Sequence, residues 1–172
     1  MTTKSTKRPR ALGSVVFVGT GPGDPSLLTV RAVEALAEAD TVVLDHVARE
    51  QLLGYAPADV EVIDGTVGED GMPIARAARS KLVVTAAKAG RRVIRLLDGD
   101  PGTYNGFAEE ASACAKAGVP FEVVPGVSQV TAVPTFAGIP LTSAKHRDIH
   151  VLDLDESTPE WSSYSDTTAT VV

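Results

Sequence analysis

The sequence predicts an α/β domain built on an open, mainly parallel five-stranded sheet with helices on both faces. Three observations point there. Five short runs rich in β-branched residues, Val15–Val18, Thr41–Leu44, Val60–Ile63, Arg92–Leu97 and Phe121–Val124, recur at intervals of about one βα unit. Each run is nearly continuously apolar, which is how strands covered on both faces of a parallel sheet read. Between them lie segments with helical periodicity and their own start and stop signals, and such an alternation gives right-handed crossovers and a doubly wound sheet.

After the first run, Asp24-Pro25 offers an N-cap followed by proline at the first helical position, and Leu28, Ala32, Ala35, Leu36 and Ala39 then share one face. Met72-Pro73 opens the helix after the third run; Ile74, Ala78, Leu82 and Ala89 form its apolar stripe, and Gly90 ends it. A helix from about Gly106 to Gly118 precedes the fifth run, and another from about Ser128 to Ala137 follows it. Ile149–Leu154 then alternates apolar with polar residues, Asp155 to Asp166 is polar, and Thr170-Val171-Val172 reads as the opening of a further strand. The expected organisation is a disordered basic tail over residues 1–13, an α/β lobe over 14–147, and a linker with the start of a truncated second lobe over 148–172.

At 172 residues, 44% apolar and 5% aromatic, the chain is long enough for one domain with a real core and short for two. A net charge of -6 argues against binding nucleic acid or an anionic membrane electrostatically, because either partner needs a basic face to displace its counterions. Lys4, Lys7, Arg8 and Arg10 are basic, but nothing apolar beside them offsets the entropy of ordering the terminus. No run approaches the roughly 20 apolar residues of a spanning helix and no signal peptide stands at the start, so a cytoplasmic location is expected. Cys114 has no second cysteine to pair with and reads as a small buried helix residue. His46, His146 and His150 are not arranged as metal ligands, and the acidic run Asp153, Asp155, Glu156 reads as a solvated strand end, so no metal is expected.

Ligands of open α/β sheets bind beyond the carboxyl ends of the strands, which directs attention to three loops. The first, Gly19-Thr20-Gly21-Pro22-Gly23-Asp24-Pro25, begins like a dinucleotide fingerprint, and Asp45 after the second run even supplies an acidic residue. The third glycine is replaced by Asp24, whose carboxylate would occupy the helix N-terminus that a pyrophosphate needs. Pro22 between two glycines instead makes a stiff wall for a ligand without phosphates. The second loop, Asp98-Gly99-Asp100-Pro101-Gly102-Thr103, offers a glycine for close backbone approach and an aspartate that either presents an anion or caps the next helix. The third, Val124-Pro125-Gly126-Val127-Ser128, ends on a plausible N-cap. Any one of them alone is ordinary turn chemistry; all three on one sheet edge point to a small-molecule site.

The ordered set Val18-Gly19-Thr20-Gly21-Pro22-Gly23-Asp24-Pro25, Leu28-Thr29, Ala39-Asp40, Asp45, Gly99-Asp100-Pro101, Val124-Pro125-Gly126-Val127-Ser128 and Gly138-Ile139-Pro140-Leu141-Thr142 resembles the tetrapyrrole methylases, and within them the uroporphyrinogen-III C-methyltransferases. The likeness runs from about Val15 to Thr142. It implies a class III methyltransferase with two lobes, of which this chain is the first, and a cleft for S-adenosylmethionine. Pro22 would line that cleft, Asp98, Gly99 and Asp100 would take the amino-acid end of the donor, Thr103 would pack nearby, and Ser128 with Gln129 would complete this lobe's share. Asp45 would be the general base, a homodimer would form, and the substrate would be a tetrapyrrole in sirohaem or cobalamin synthesis. Other branches of the same fold modify a ribosomal nucleotide or a protein histidine, and the acidic balance disfavours RNA. The chain departs from the pattern twice. The stretch Asp64-Gly65-Thr66-Val67-Gly68-Glu69-Asp70 lacks the lysine that serves the family as proton donor, and Ser143-Ala144-Lys145 separates Thr142 from His146-Arg147. A non-catalytic lobe kept for binding or for assembly with a fused synthase is the reading that the missing lysine favours. The cations available for a polyanionic substrate are Arg49, Arg76, Arg79, Lys145, His146 and Arg147.

Overall fold

The computed structural model describes residues 11–45, 47–68, 71–103, 106–145, 147–152 and 168–171. The basic stretch at residues 4–10, His46, His146 and the acidic run at 153–156 lie outside them, as does the side chain of Arg49.

Five strands, β1 (Ser14–Gly19), β2 (Thr41–Leu44), β3 (Glu61–Asp64), β4 (Arg92–Leu97) and β5 (Phe121–Val124), form one sheet in the order β3-β2-β4-β1-β5, every neighbour parallel. The expected strand positions hold to within a residue. Full burial holds only for β2, the whole of β4 after Arg92 and the whole of β1 after Ser14. The edge strands differ. Val62 of β3 and Phe121 and Val123 of β5 are exposed, because an edge strand has a neighbour on one side only and the covering helices do not reach across it.

Among the described residues, four α-helices complete the sandwich: α1 (Val30–Ala37), α2 (Arg76–Lys88), α3 (Phe107–Ala117) and α4 (Gln129–Phe136). One sheet face carries Val16, Val18, Val42 and Ile94 against Ala32, Ala35 and Leu36 of α1 and Leu52 of the 3-10 helix Val47–Tyr55. The other carries Val15, Phe17, Val43 and Val93 against Val83 and Ala87 of α2 and Ala111 and Cys114 of α3. Cys114 is thus the buried helix residue that the sequence suggests.

Two helix starts differ from the sequence expectation. Asp24 does cap, its carboxylate accepting from Ser26 N at 2.8 Å, but what it caps is a single 3-10 turn, Pro25–Leu27. The α-helix begins five residues later under a second cap, Thr29 Oγ1 accepting from Ala32 N at 3.1 Å. Met72-Pro73 does not open α2: Pro73 bridges back to Val67 in a small antiparallel turn, and α2 starts at Arg76. Gly90 with φ +83 ends that helix as expected. The face α2 buries is Ser80, Val83 and Ala87, while Ile74, Ala78 and Leu82 line an open groove of about 620 Å³ beside β3. The last helix matches its expectation, with Ser128 Oγ accepting from Val130 N at 3.2 Å. Beyond it, β6 (Ile149–Leu152) pairs in parallel with β7 (Thr168–Val171) as a separate two-stranded sheet.

Candidate functional site

Strands β4, β1 and β5 are adjacent, so the loops leaving their carboxyl ends meet, and they meet at glycines. Gly21 and Gly99 pair backbone to backbone, with N···O distances of 3.1 and 3.0 Å. Thr20, buried just before them, donates both its N–H and its hydroxyl to Leu97 O, at 2.9 and 3.1 Å. Gly126 of the third loop lies flat on the other two: a Cβ there would strike Gly99 O and come within 2.7 Å of the Gly19 carbonyl carbon. The three loops expected to share one edge are one packed unit.

Asp100 ties this unit together. Its Oδ1 accepts from Gly102 N at 2.8 Å and its Oδ2 from Gly126 N at 3.1 Å, while its carbonyl accepts from both the N–H and the hydroxyl of Thr103. It does not cap the following helix, since α3 starts from Gly106 in the left-handed conformation with no side-chain cap. Gly99 has φ +60, and the room its missing Cβ leaves is taken by the Gln129 amide. The close approach that the glycine permits is therefore to Gln129 of α4, which brings two of the expected donor-binding residues into contact. Pro22 and Asp98 stand half-buried on the same rim, between Gly21 and Gly23 and beside Gly99 respectively. Hydrogen bonding to Ser26 N holds the Asp24 carboxyl below its ordinary pKa, so this turn presents a fixed negative charge where a phosphate would otherwise sit.

Asp45 leaves the carboxyl end of β2, on the far side of β4 from β1. It is not a free loop aspartate. Its Oδ2 accepts from Arg95 Nη2 at 2.6 Å, its Oδ1 lies 3.4 Å from Arg79 Nε, and its carbonyl accepts from the Thr66 hydroxyl. Arg95 is a residue that sequence reasoning passed over. It sits in the middle of β4 with no solvent exposure, and Glu110 of α3 meets its Nε and Nη2 at 2.8 and 2.9 Å. Burial alone would lower the guanidinium's pKa; Glu110 and then Asp45 outweigh it and raise the value, so Arg95 is charged. A signal was available, because an arginine inside a run that reads as buried on both faces requires a buried carboxylate somewhere in the fold.

Of the expected substrate cations, Arg79 pairs with Asp45 and holds Gly65 O at 3.1 Å, Arg76 faces Glu109 at 3.5 Å, and Lys145 and Arg147 are exposed. Among the described residues no group of three His, Cys, Asp or Glu side chains could hold a metal, and no helix is long and apolar enough to cross a membrane. The groove between α2 and β3 shares none of its lining with the three loops.

Residues 14–172 match the family model for tetrapyrrole (corrin/porphyrin) methylases. A siroheme synthase of Klebsiella pneumoniae is 43% identical over 144 residues, covering 83% of this chain and 30% of that protein. A uroporphyrinogen-III C-methyltransferase of Methanocaldococcus jannaschii is 40% identical over 133 residues, covering 77% of this chain and 55% of that protein. The crystal structure of uroporphyrin-III C-methyltransferase from Thermus thermophilus complexed with S-adenyl homocysteine superposes with a TM-score of 0.73 at 32% identity, over 93% of this chain and 65% of that one. The chain thus spans about a third of the siroheme synthase and about half of the archaeal methyltransferase.

Proposed function

This chain belongs to the tetrapyrrole (corrin/porphyrin) methylase family, and from that premise we propose that it is the first lobe of an S-adenosylmethionine-dependent C-methyltransferase that converts uroporphyrinogen III to precorrin-2 for sirohaem or cobalamin. The observation that carries the reading is the fused loop unit of Gly19–Asp24, Asp98–Thr103 and Pro125–Gln129 at one sheet edge. Its chemistry fits the donor: carboxylates at Asp98 and Asp100 and backbone amides suit a zwitterion bearing a sulfonium, and Asp24 opposes a phosphate.

In this reading the lobe's work is orientation. S-adenosylmethionine supplies an electrophilic methyl group when bound. Pro22 walls the site, Asp98, Gly99 and Asp100 receive the amino-acid end, and Thr103, Ser128 and Gln129 keep those groups in place, so that the substrate carbon meets the methyl in line. Asp45 receives the proton the tetrapyrrole releases. Residues 14–147 would be this lobe and 148–172 the linker and start of the second, with a homodimer in the cytoplasm as the working form.

Calorimetric titration of the natural full-length protein with S-adenosylhomocysteine, followed by incubation with uroporphyrinogen III and labelled donor, tests the proposal. Saturable heat and label in the tetrapyrrole are expected. A second reading, a lobe retained for binding without catalysis, is favoured by the missing lysine between Asp64 and Asp70. It predicts no label in the tetrapyrrole; label transferred to RNA instead would sink both.

A further inference from the structure

A buried ion pair that serves only the core closes on itself. Arg95 and Glu110 nearly do so: both Glu110 oxygens meet the guanidinium, and Arg95 Nη1 donates to Leu96 O at 2.8 Å. Neither residue is more than 2% exposed. Yet Arg95 Nη2 is shared, and its second bond, at 2.6 Å, reaches out of the core to Asp45, whose side chain is 23% exposed. A structural pair does not need that bond. Asp45 is also confined from its other side, where a Cβ on Gly65 would come within 2.7 Å of Oδ1. That oxygen is buried and makes no hydrogen bond among the described residues, and the cation it faces is Arg79, whose Nε lies 3.4 Å away.

The geometry points to Arg95 and Glu110 as positioning residues for Asp45. Glu110, on α3, fixes the plane of the guanidinium inside the sheet. Arg95, on β4, then holds Oδ2 and, with Arg79 on the Oδ1 side, fixes the direction of the carboxylate. The element order explains how this is possible: β4 lies between β2, which carries Asp45, and β1, so a side chain from mid-β4 can reach the end of β2. The inference rests on Asp45 being the proton acceptor proposed above.

Removing one charge strands the other, so Arg95→Ala alone risks a protein that does not fold. The informative variants are Glu110→Gln, which keeps shape, and the pair Arg95→Met with Glu110→Met, which replaces both charges by apolar groups of similar length. In the full-length protein, folding is checked by thermal unfolding, donor binding by titration with S-adenosylhomocysteine, and turnover by separate kcat and KM on uroporphyrinogen III. The expected result is a folded double variant whose donor Kd and KM stay within about twofold while kcat falls by about 100-fold, the scale of a misplaced catalytic group. Arg95→Lys, which keeps the charge but loses the fork, recovers part of that loss. A folded double variant with unchanged kcat overturns the inference. If the unmodified protein methylates no tetrapyrrole, the substrate reading fails by itself, and positioning is read from the unfolding free energies of Asp45→Asn, Glu110→Gln and their combination. Non-additive effects support it and strict additivity rejects it.

Discussion

The loop unit at the ends of β4, β1 and β5 and the charge network beside it, at the end of β2 and the middle of β4, solve the same problem by opposite means. The loops are fixed by backbone against backbone, with Gly19, Gly99 and Gly126 so close that no side chain fits between them. Shape there depends on the absence of atoms. The network is fixed by four charged side chains, Arg79, Asp45, Arg95 and Glu110, drawn from α2, the end of β2, β4 and α3. Its geometry depends on charges that burial makes costly to leave unpaired. The first design tolerates no added volume; the second tolerates no unbalanced charge.

Unbalancing the second region should have the largest effect. Arg95→Ala leaves Glu110 buried with no cation, and a loss of about 3–5 kcal/mol is expected, the range for breaking a buried pair. Urea unfolding measures it. A loss under 1 kcal/mol would mean that the pair is solvated and that the network is no more than surface decoration.

The matching test of the first region is Gly126→Ala. Its Cβ would meet Gly99 O and the Gly19 backbone, which cannot rotate away as a side chain can, so the loops must part. About 1–3 kcal/mol of stability is expected to go, as for other overpacking substitutions, and donor binding falls with it because the loops part at the proposed site. Titration with S-adenosylhomocysteine beside urea unfolding separates the two effects. Alanine accepted with wild-type binding would show that the glycine contacts do not shape the site.

The two regions also differ in how far they could be read from sequence. Each glycine-proline loop is a local signal following a strand signal, and strand positions at β1, β2, β4 and β5 are fixed by apolar runs long enough to be unambiguous. Caps at Asp24, Ser128 and the left-handed Gly118 are local too. The Arg95 contacts span 15 residues to Glu110 and 50 to Asp45, and no periodicity links such positions. Only the physical oddity of a charge inside β4 marks them. The stripe on α2 was legible as apolar but not as groove-facing, because periodicity gives a face without saying what covers it. Asp24-Pro25 is a true local start signal, yet it opens only a 3-10 turn, and the cap at Thr29 under which α1 begins was passed over.

A milder effect is expected at Cys114, which sits four residues after Glu110 on the buried face of α3. Burial first, and the Glu110 charge second, push its thiol from an ordinary 9.0 up to about 11. The sign follows from proton counts. Below pH 9 both folded and unfolded thiols are protonated and stability is unaffected. Between about 9 and 11 the unfolded chain releases this proton while the folded one retains it, so folding loses stability as pH rises through that window. Unfolding free energy measured from pH 8 to 11 should therefore fall less steeply in Cys114→Ala than in the parent. Glu110→Gln removes the charge but leaves the burial, so its thiol should titrate below the parent's and above that of an exposed cysteine. Equal titration in the parent and Glu110→Gln would mean that the Glu110 charge is fully absorbed by Arg95 and does not reach across one helical turn.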